Sequence, residues 1–240
     1  MFSYEAYLSY ILPFKDLLVG YRKALNSKKF AILRHDVEFD TYRALELAKI
    51  EHEAGIKSTY FFQVRSDAYN LASVSNKEIL FKIMDMGHEV GLHLYISHFE
   101  EYESCTFERE LDLQRIILGE LIQRPVNAFS VHRPKHWFLE IREDFICSMI
   151  NAYGPSFFEY ADHPKNIKYF ADSTHRWNYG EPHLMNGFDK YQILTHPDEW
   201  YEFSNKVEKN YYLTYRAHCD RFNKTLMLEN KCFNQFGPIE

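Results

Sequence analysis

The sequence predicts an α/β protein with parallel strands in a layered or barrel arrangement. Apolar runs short enough for strands, beginning with Phe30-Ala31-Ile32-Leu33, alternate with longer segments whose apolar residues recur at helical spacing. That alternation is the mark of βα units, in which the crossover helix makes neighbouring strands parallel. The strand-like runs also end in polar clusters: Arg34-His35-Asp36-Val37-Glu38, Gly87-His88-Glu89-Val90-Gly91-Leu92-His93, Ser130-Val131-His132-Arg133-Pro134 and Leu194-Thr195-His196-Pro197. The C-terminal ends of parallel strands are where such folds gather their chemistry.

Taken in order, Pro13 to Leu25 carries Phe14, Leu17, Leu18, Tyr21 and Leu25 at helical spacing and predicts an amphipathic helix ahead of the first strand. Thr41 to Ala54 predicts a helix ended by Gly55, a residue suited to the left-handed turn after a helix. Ser58 to Val64 reads as a strand, Lys77 to Met86 as a helix ended by Gly87, and Glu89 to Leu94 as a third strand. Thr106 to Ile122 is a long helix, followed by Arg124-Pro125 and a strand from Ala128 to Val131. Shorter strands are expected at Ile167 to Ala171 and Tyr191 to Thr195. Pro155 to Lys165 and Thr174 to Gly187 read as aromatic-rich loops, and helix returns from Asp198 to about Leu226. With no repeat, low-complexity tract or linker, one domain spanning residues 1–240 is expected.

Aromatic residues make up 17% of the chain, which suits a packed globule with an aromatic-lined cleft and does not suit disorder. A formal charge of −6 and the lack of a long basic run argue against a nucleic-acid groove. The N-terminal residues have no basic leader pattern and no apolar run reaches a membrane span, so an intracellular, cytoplasmic protein is expected. Cys105, Cys147, Cys219 and Cys232 form no C-x-x-C pair, which excludes a zinc knuckle or redox motif of that kind.

In the first polar cluster a strand period of two turns Arg34, Asp36 and Glu38 to one side and His35 to the other. Converging carboxylates suit acid–base or metal chemistry, and an ion pair with Arg34 or a helix cap at Thr41 is the structural alternative. His132 could serve as a supporting hydrogen-bond donor. His88 reads as structural, and His136, His163, His175 and His183 as loop residues.

Together the segments from Leu33 to Val64, Gly87 to His93, Phe129 to Pro134, Lys168 to Trp177 and Gln192 to Trp200 resemble the polysaccharide deacetylase family, the NodB-like carbohydrate esterases, and within it a branch whose first motif reads R-H-D-V-D. The resemblance implies a distorted (β/α) barrel and a hydrolase that uses one divalent metal ion, zinc by expectation, to remove acetyl groups from N-acetylated sugars. By position it implies Asp36 as the catalytic base, Glu38, His93 and His98 as metal ligands, Arg133 as the arginine orienting the base, and His196 as the general acid supported by Asp172. Leu194 would line the acetyl pocket, with Tyr95, Trp137, Phe157, Phe158 and Trp177 as aromatic candidates for stacking on the sugar. The chain has Glu38 where the family pattern has Asp, and His93 and His98 stand five residues apart where the pattern has four.

The expected substrate is therefore an N-acetylated sugar or a nucleotide- or lipid-linked sugar precursor in surface-polysaccharide metabolism, with no nucleic-acid partner. Two other functions stay open on the sequence: a NodB-like protein that has lost catalysis and binds carbohydrate or acts as a scaffold, and a hydrolase of a non-sugar C–N bond.

Overall fold

Eight strands form one mixed sheet that curls into a half-barrel, with helices against its outer face. The structure is a computed structural model that describes residues 2–96, 99, 101, 103–161, 166–203 and 206–236. In chain order the elements are α1 (Tyr4–Ile11), a 3-10 segment (Leu12–Leu17), α2 (Tyr21–Ala24), β1 (Phe30–Val37), α3 (Thr41–Glu53), β2 (Thr59–Phe62), α4 (Val74–Asp85), β3 (Glu89–Tyr95), α5 (Ser104–Ile122), β4 (Ala128–His132), α6 (His136–Leu139), β5 (Phe145–Ile146), β6 (Met149–Asn151), β7 (Ile167–Ala171), β8 (Lys190–Thr195), a 3-10 turn (Pro197–Glu199), α7 (Val207–Glu229) and α8 (Lys231–Phe236). The strands run in the order β5-β6-β4-β3-β2-β1-β8-β7, and only β5 is antiparallel to its neighbour.

The curl is what brings the site together. In a flat sheet β4 and β1 would stand about 14 Å apart, at roughly 4.8 Å per strand step. The Ser130 hydroxyl of β4 instead donates to Asp36 of β1 across 3.0 Å. Inward residues of β1, β3 and β4 therefore meet across the interior. Between the rims, Phe158 packs on Tyr153, which follows β6, and on Tyr169 of β7, with ring centroids 5.2 and 4.7 Å apart.

Alternation along the strands divides two cores. Inward-facing Phe30, Ile32, Phe61 and Ala128 form a floor with Tyr21 of α2 and Phe157. Outward-facing Ala31 and Leu33 pack beneath α1 and α3 with Tyr7, Phe14, Leu47 and Trp200. Gly91 of β3 lies opposite Phe61 in register, and a Cβ there would collide with the Phe61 ring and crowd the Ala128 carbonyl. Its missing side chain is what lets the floor ring fit.

The expected single helix from Pro13 to Leu25 is broken. Phe14 belongs to the outer core and Tyr21 to the barrel floor, so one straight helix cannot serve both, and the chain turns between the 3-10 segment led by Pro13 and α2, preceded by Gly20. The hairpin β5–β6 escaped the sequence reading because its turn residues, Cys147 and Ser148, hold φ of 48° and 63° without the Asn or Gly that usually signals such a turn. The C-terminal helix begins at Val207, after a 3-10 turn and a loop, later than its apolar pattern suggests. Among the described residues no helix is long and apolar enough to cross a membrane.

Candidate active site

The site lies inside the C-terminal mouth of the half-barrel, around a cavity of about 380 Å³ whose wall includes Asp36, Glu38, His93, Leu194 and His196. Each side chain arrives by strand parity. Asp36 faces inward from β1, and Glu38 extends the same face just past its end. His93 comes from β3, and Ser130 and His132 from adjacent β4, where His93 pairs in register with Ser130. His196 follows β8, and Asp172 follows β7, whose last residue, Ala171, pairs with Leu194.

A chain of hydrogen bonds sets the tautomer of His93. Ser130 Oγ donates to Asp36 Oδ1 at 3.0 Å and so is free to accept at 2.8 Å from His93 Nδ1. With the proton on Nδ1, Nε2 carries the lone pair, and that buried atom has no hydrogen-bond partner among the described residues. It lies 3.7 Å from Glu38 Oε1. Glu38 Oε1 is in turn 2.9 Å from His132 Nδ1, and His132 is flanked by Tyr95, stacked at a centroid distance of 5.4 Å and an interplanar angle of 17°.

Glu38, His93 and His132 offer ligand atoms that all lie within 4.8 Å of one another. One carboxylate and two imidazoles are the donor set that zinc and similar divalent ions take, with room left for water or substrate. The orphaned Nε2 of His93 and the tautomer set by Ser130 fit that use. Burial works to raise the Glu38 carboxyl, but the hydrogen bond from His132, helped by the charge of His196, holds it ionised, well below the usual carboxylate range.

On the opposite wall, His196 Nδ1 meets Asp172 Oδ1 at 2.7 Å, and the His196 backbone N–H donates to the same carboxylate. The Trp200 indole N–H fixes its other oxygen at 2.7 Å. Burial pushes the His196 imidazole down, but Asp172 outweighs it and raises the pKa to about 10. Nε2 of His196 lies 4.0 Å from Glu38 Oε1, so the ring's free edge faces the metal-type cluster. Burial also pushes Asp198 up to about 7 and, together with Asp172, Glu199 up to about 8; both line the cavity.

No protein-family model matches the chain, and no curated protein matches it by sequence. The solved structures to which it is similar include family 4 carbohydrate esterases, deacetylases and a pseudoenzyme of that family. A CE4-family pseudoenzyme of Bacillus anthracis is 17% identical over 80% of this chain, with a TM-score of 0.47; the chain spans 62% of that protein's length. The chitin deacetylase of Colletotrichum lindemuthianum is 13% identical over 78% of this chain and 81% of its own, with a TM-score of 0.46. A family 4 carbohydrate esterase of Bacillus anthracis is 14% identical over 90% and 86%, with a TM-score of 0.44.

The structure brings Asp36, Glu38, His93, Leu194 and His196 to one cavity, with Asp172 buried behind His196, and other expected residues stand differently. His98 lies outside the described residues. The second imidazole of the Glu38 cluster is that of His132, and the signal for it was present: His132 shares the inward face of its strand with Ser130. Arg133 is exposed on the cavity rim with a φ of 48°, and the guanidinium beside Asp36 is instead that of Arg34, with Nη2 3.5 Å from Oδ2. Arg133 follows the inward-facing His132 by one residue, and with β4 ended its left-handed backbone places it at the rim. Trp137 packs on Phe107 and Phe138, Phe157 lies in the floor, and Trp177 stands among Phe2, Tyr10 and Trp200. Tyr95 backs His132. The aromatic wall of the cavity comes from the expected Phe158 together with Phe39, Tyr153 and Tyr179 from loops, Tyr169 of β7 and Tyr211 of α7.

Proposed function

We propose that the protein is a metal-dependent hydrolase that removes an acetyl group from an N-acetylated carbohydrate or sugar precursor. The observation that carries this reading is the convergence of two separately built units on one cavity: the Glu38, His93 and His132 cluster beside Asp36, and the Asp172–His196 pair facing it. Amide hydrolysis needs a group that takes a proton from water and one that delivers a proton to the leaving nitrogen. The two units divide those tasks.

Glu38, His93 and His132 would hold one divalent ion, zinc by its donor set, and such an ion acidifies water and polarises a carbonyl when bound. Asp36 accepts the proton of the attacking water. His196, kept protonated by Asp172, donates from Nε2 to the departing amine, and the site resets when His196 regains a proton and Asp36 gives up the one it took. Leu194, on the cavity wall next to the strand end that carries His196, gives the acetyl methyl an apolar contact. The tyrosines of the wall suit the faces of a sugar ring, whose C–H groups pack on aromatic surfaces and whose hydroxyls meet the phenolic oxygens.

The deciding measurement is metal content joined to turnover. Purified protein loaded with zinc should retain about one equivalent after desalting and release acetate from tri-N-acetylchitotriose or from UDP-N-acetylglucosamine, and Asp36→Asn should lower turnover about a hundredfold or more while keeping the metal. Metal retention without acetate release from any acetylated sugar would favour a carbohydrate-binding role. Failure to retain metal would overturn the reading.

A further inference from the structure

Asp36 has an arginine at its side, and it comes from the same strand. Arg34 and Asp36 share the inward face of β1, and both are buried. Arg34 Nη2 lies 3.5 Å from Asp36 Oδ2 and donates to the Tyr153 hydroxyl at 2.9 Å, with the guanidinium carbon 4.6 Å from the Tyr153 ring centroid. Among the described residues its Nε and Nη1 have no hydrogen-bond partner. Burial works against the cation; Asp36 and the surrounding tyrosines Tyr153, Tyr169 and Tyr21 outweigh it, so it stays protonated.

A fully desolvated guanidinium with so few partners contributes little to stability, and an apolar side chain of that size would fill the same space without the desolvation penalty. Its consequence falls on Asp36. Ser130 holds Oδ1 from one side and Arg34 faces Oδ2 from the other, so turning the carboxylate disrupts both contacts. We infer that Arg34 is the positioning residue of Asp36, filling the place the sequence motif assigns to Arg133. The inference rests on reading Asp36 as the base. Arg133, exposed at the cavity rim in a left-handed conformation ahead of Pro134, makes no ion pair with Asp36.

The test is a pair of double-variant cycles on the zinc-loaded protein, with 4-nitrophenyl acetate and tri-N-acetylchitotriose as probes. Arg34→Met should lower kcat about a hundredfold with KM changed less than about threefold, and Arg34→Lys should recover part of the loss. Adding Arg34→Met to Asp36→Asn should lower kcat no further, and the double variant should melt above Asp36→Asn because it no longer buries an unpaired cation. Arg133→Gln should combine with Asp36→Asn multiplicatively. If the Arg34 and Asp36 losses multiply instead, or if Arg133→Gln is the one absorbed by Asp36→Asn, the assignment is wrong. Full turnover in Asp36→Asn would reject the base and leave the melting cycle to judge the pair. In that case, or if neither probe is turned over, a double variant melting no higher than Asp36→Asn rejects the inference on its own.

Discussion

His196 donates from Nδ1 to Asp172 Oδ1 across 2.7 Å, and the partner's second oxygen is taken by Trp200. The carboxylate is thereby locked between a ring from the β8 end and an indole from the following 3-10 turn, and the imidazole presents Nε2 to the cavity. Asp172→Asn keeps the shape and loses the charge that raises His196 to about 10. Because a raised histidine carries its proton below that value and loses it as pH climbs through it, the variant should lose its proton-donating form at lower pH. Its kcat on an acetamido sugar should fall about a hundredfold at neutral pH, whereas hydrolysis of 4-nitrophenyl acetate, whose leaving group needs no proton, should fall far less. Equal losses on both probes would assign Asp172 a structural role.

Metal retention separates the two candidate second imidazoles. His93→Ala and His132→Ala should each strip the ion, read as zinc per protein after dialysis, with melting temperature measured on the same samples. His98→Ala should retain it. The reverse pattern between His132 and His98 would restore the motif spacing as the guide to the ligands.

Behind the site, Glu51 of α3 is fully buried among Tyr7, His35, Ser58, Tyr60 and His88, with Tyr60 and Ser58 donating at 2.8 and 2.7 Å. Burial pushes its carboxyl up, but His35 and the other partners outweigh it and hold it at about 2 against an ordinary 4.5. A depressed acid contributes stability that is present above its unfolded value and lost as pH falls through the folded one. Glu51→Gln should therefore lower the melting temperature at pH 7 by several degrees, consistent with the roughly 3 kcal/mol of a broken buried pair, and the gap should narrow between about pH 4.5 and pH 2. A gap independent of pH would show that packing, not charge, is what Glu51 contributes.

Gly91→Ala tests the barrel floor. The new methyl meets Phe61 on one side and the Ala128 carbonyl on the other, and neither can withdraw without shifting a strand. Overpacking of this kind costs about 1–3 kcal/mol, so the melting temperature should drop, and the further change Phe61→Leu should restore part of it. No recovery in the double variant would place the strain elsewhere.

Much of this protein was legible in the order of its residues. Alternating strand-like and helical runs foretold a parallel sheet, because a period of two and a period near 3.6 bury different faces. Strand parity put Asp36 and Glu38 together and sent His35 to the far side, where it meets Glu51. The motif order likewise singled out His93, Leu194 and His196, which the fold places around one cavity, and Asp172, which it places against His196. What parity cannot reveal is which inward residues of distant strands touch. The sheet's curl decided that, closing some 14 Å of flat-sheet separation to bring Ser130 onto Asp36 and His132 onto Glu38. The arginine was partly legible: parity already set Arg34 on the side of Asp36 and Arg133 one residue past the inward-facing His132. Local sequence determines which way a side chain points; only the rolled sheet determines what lies in front of it.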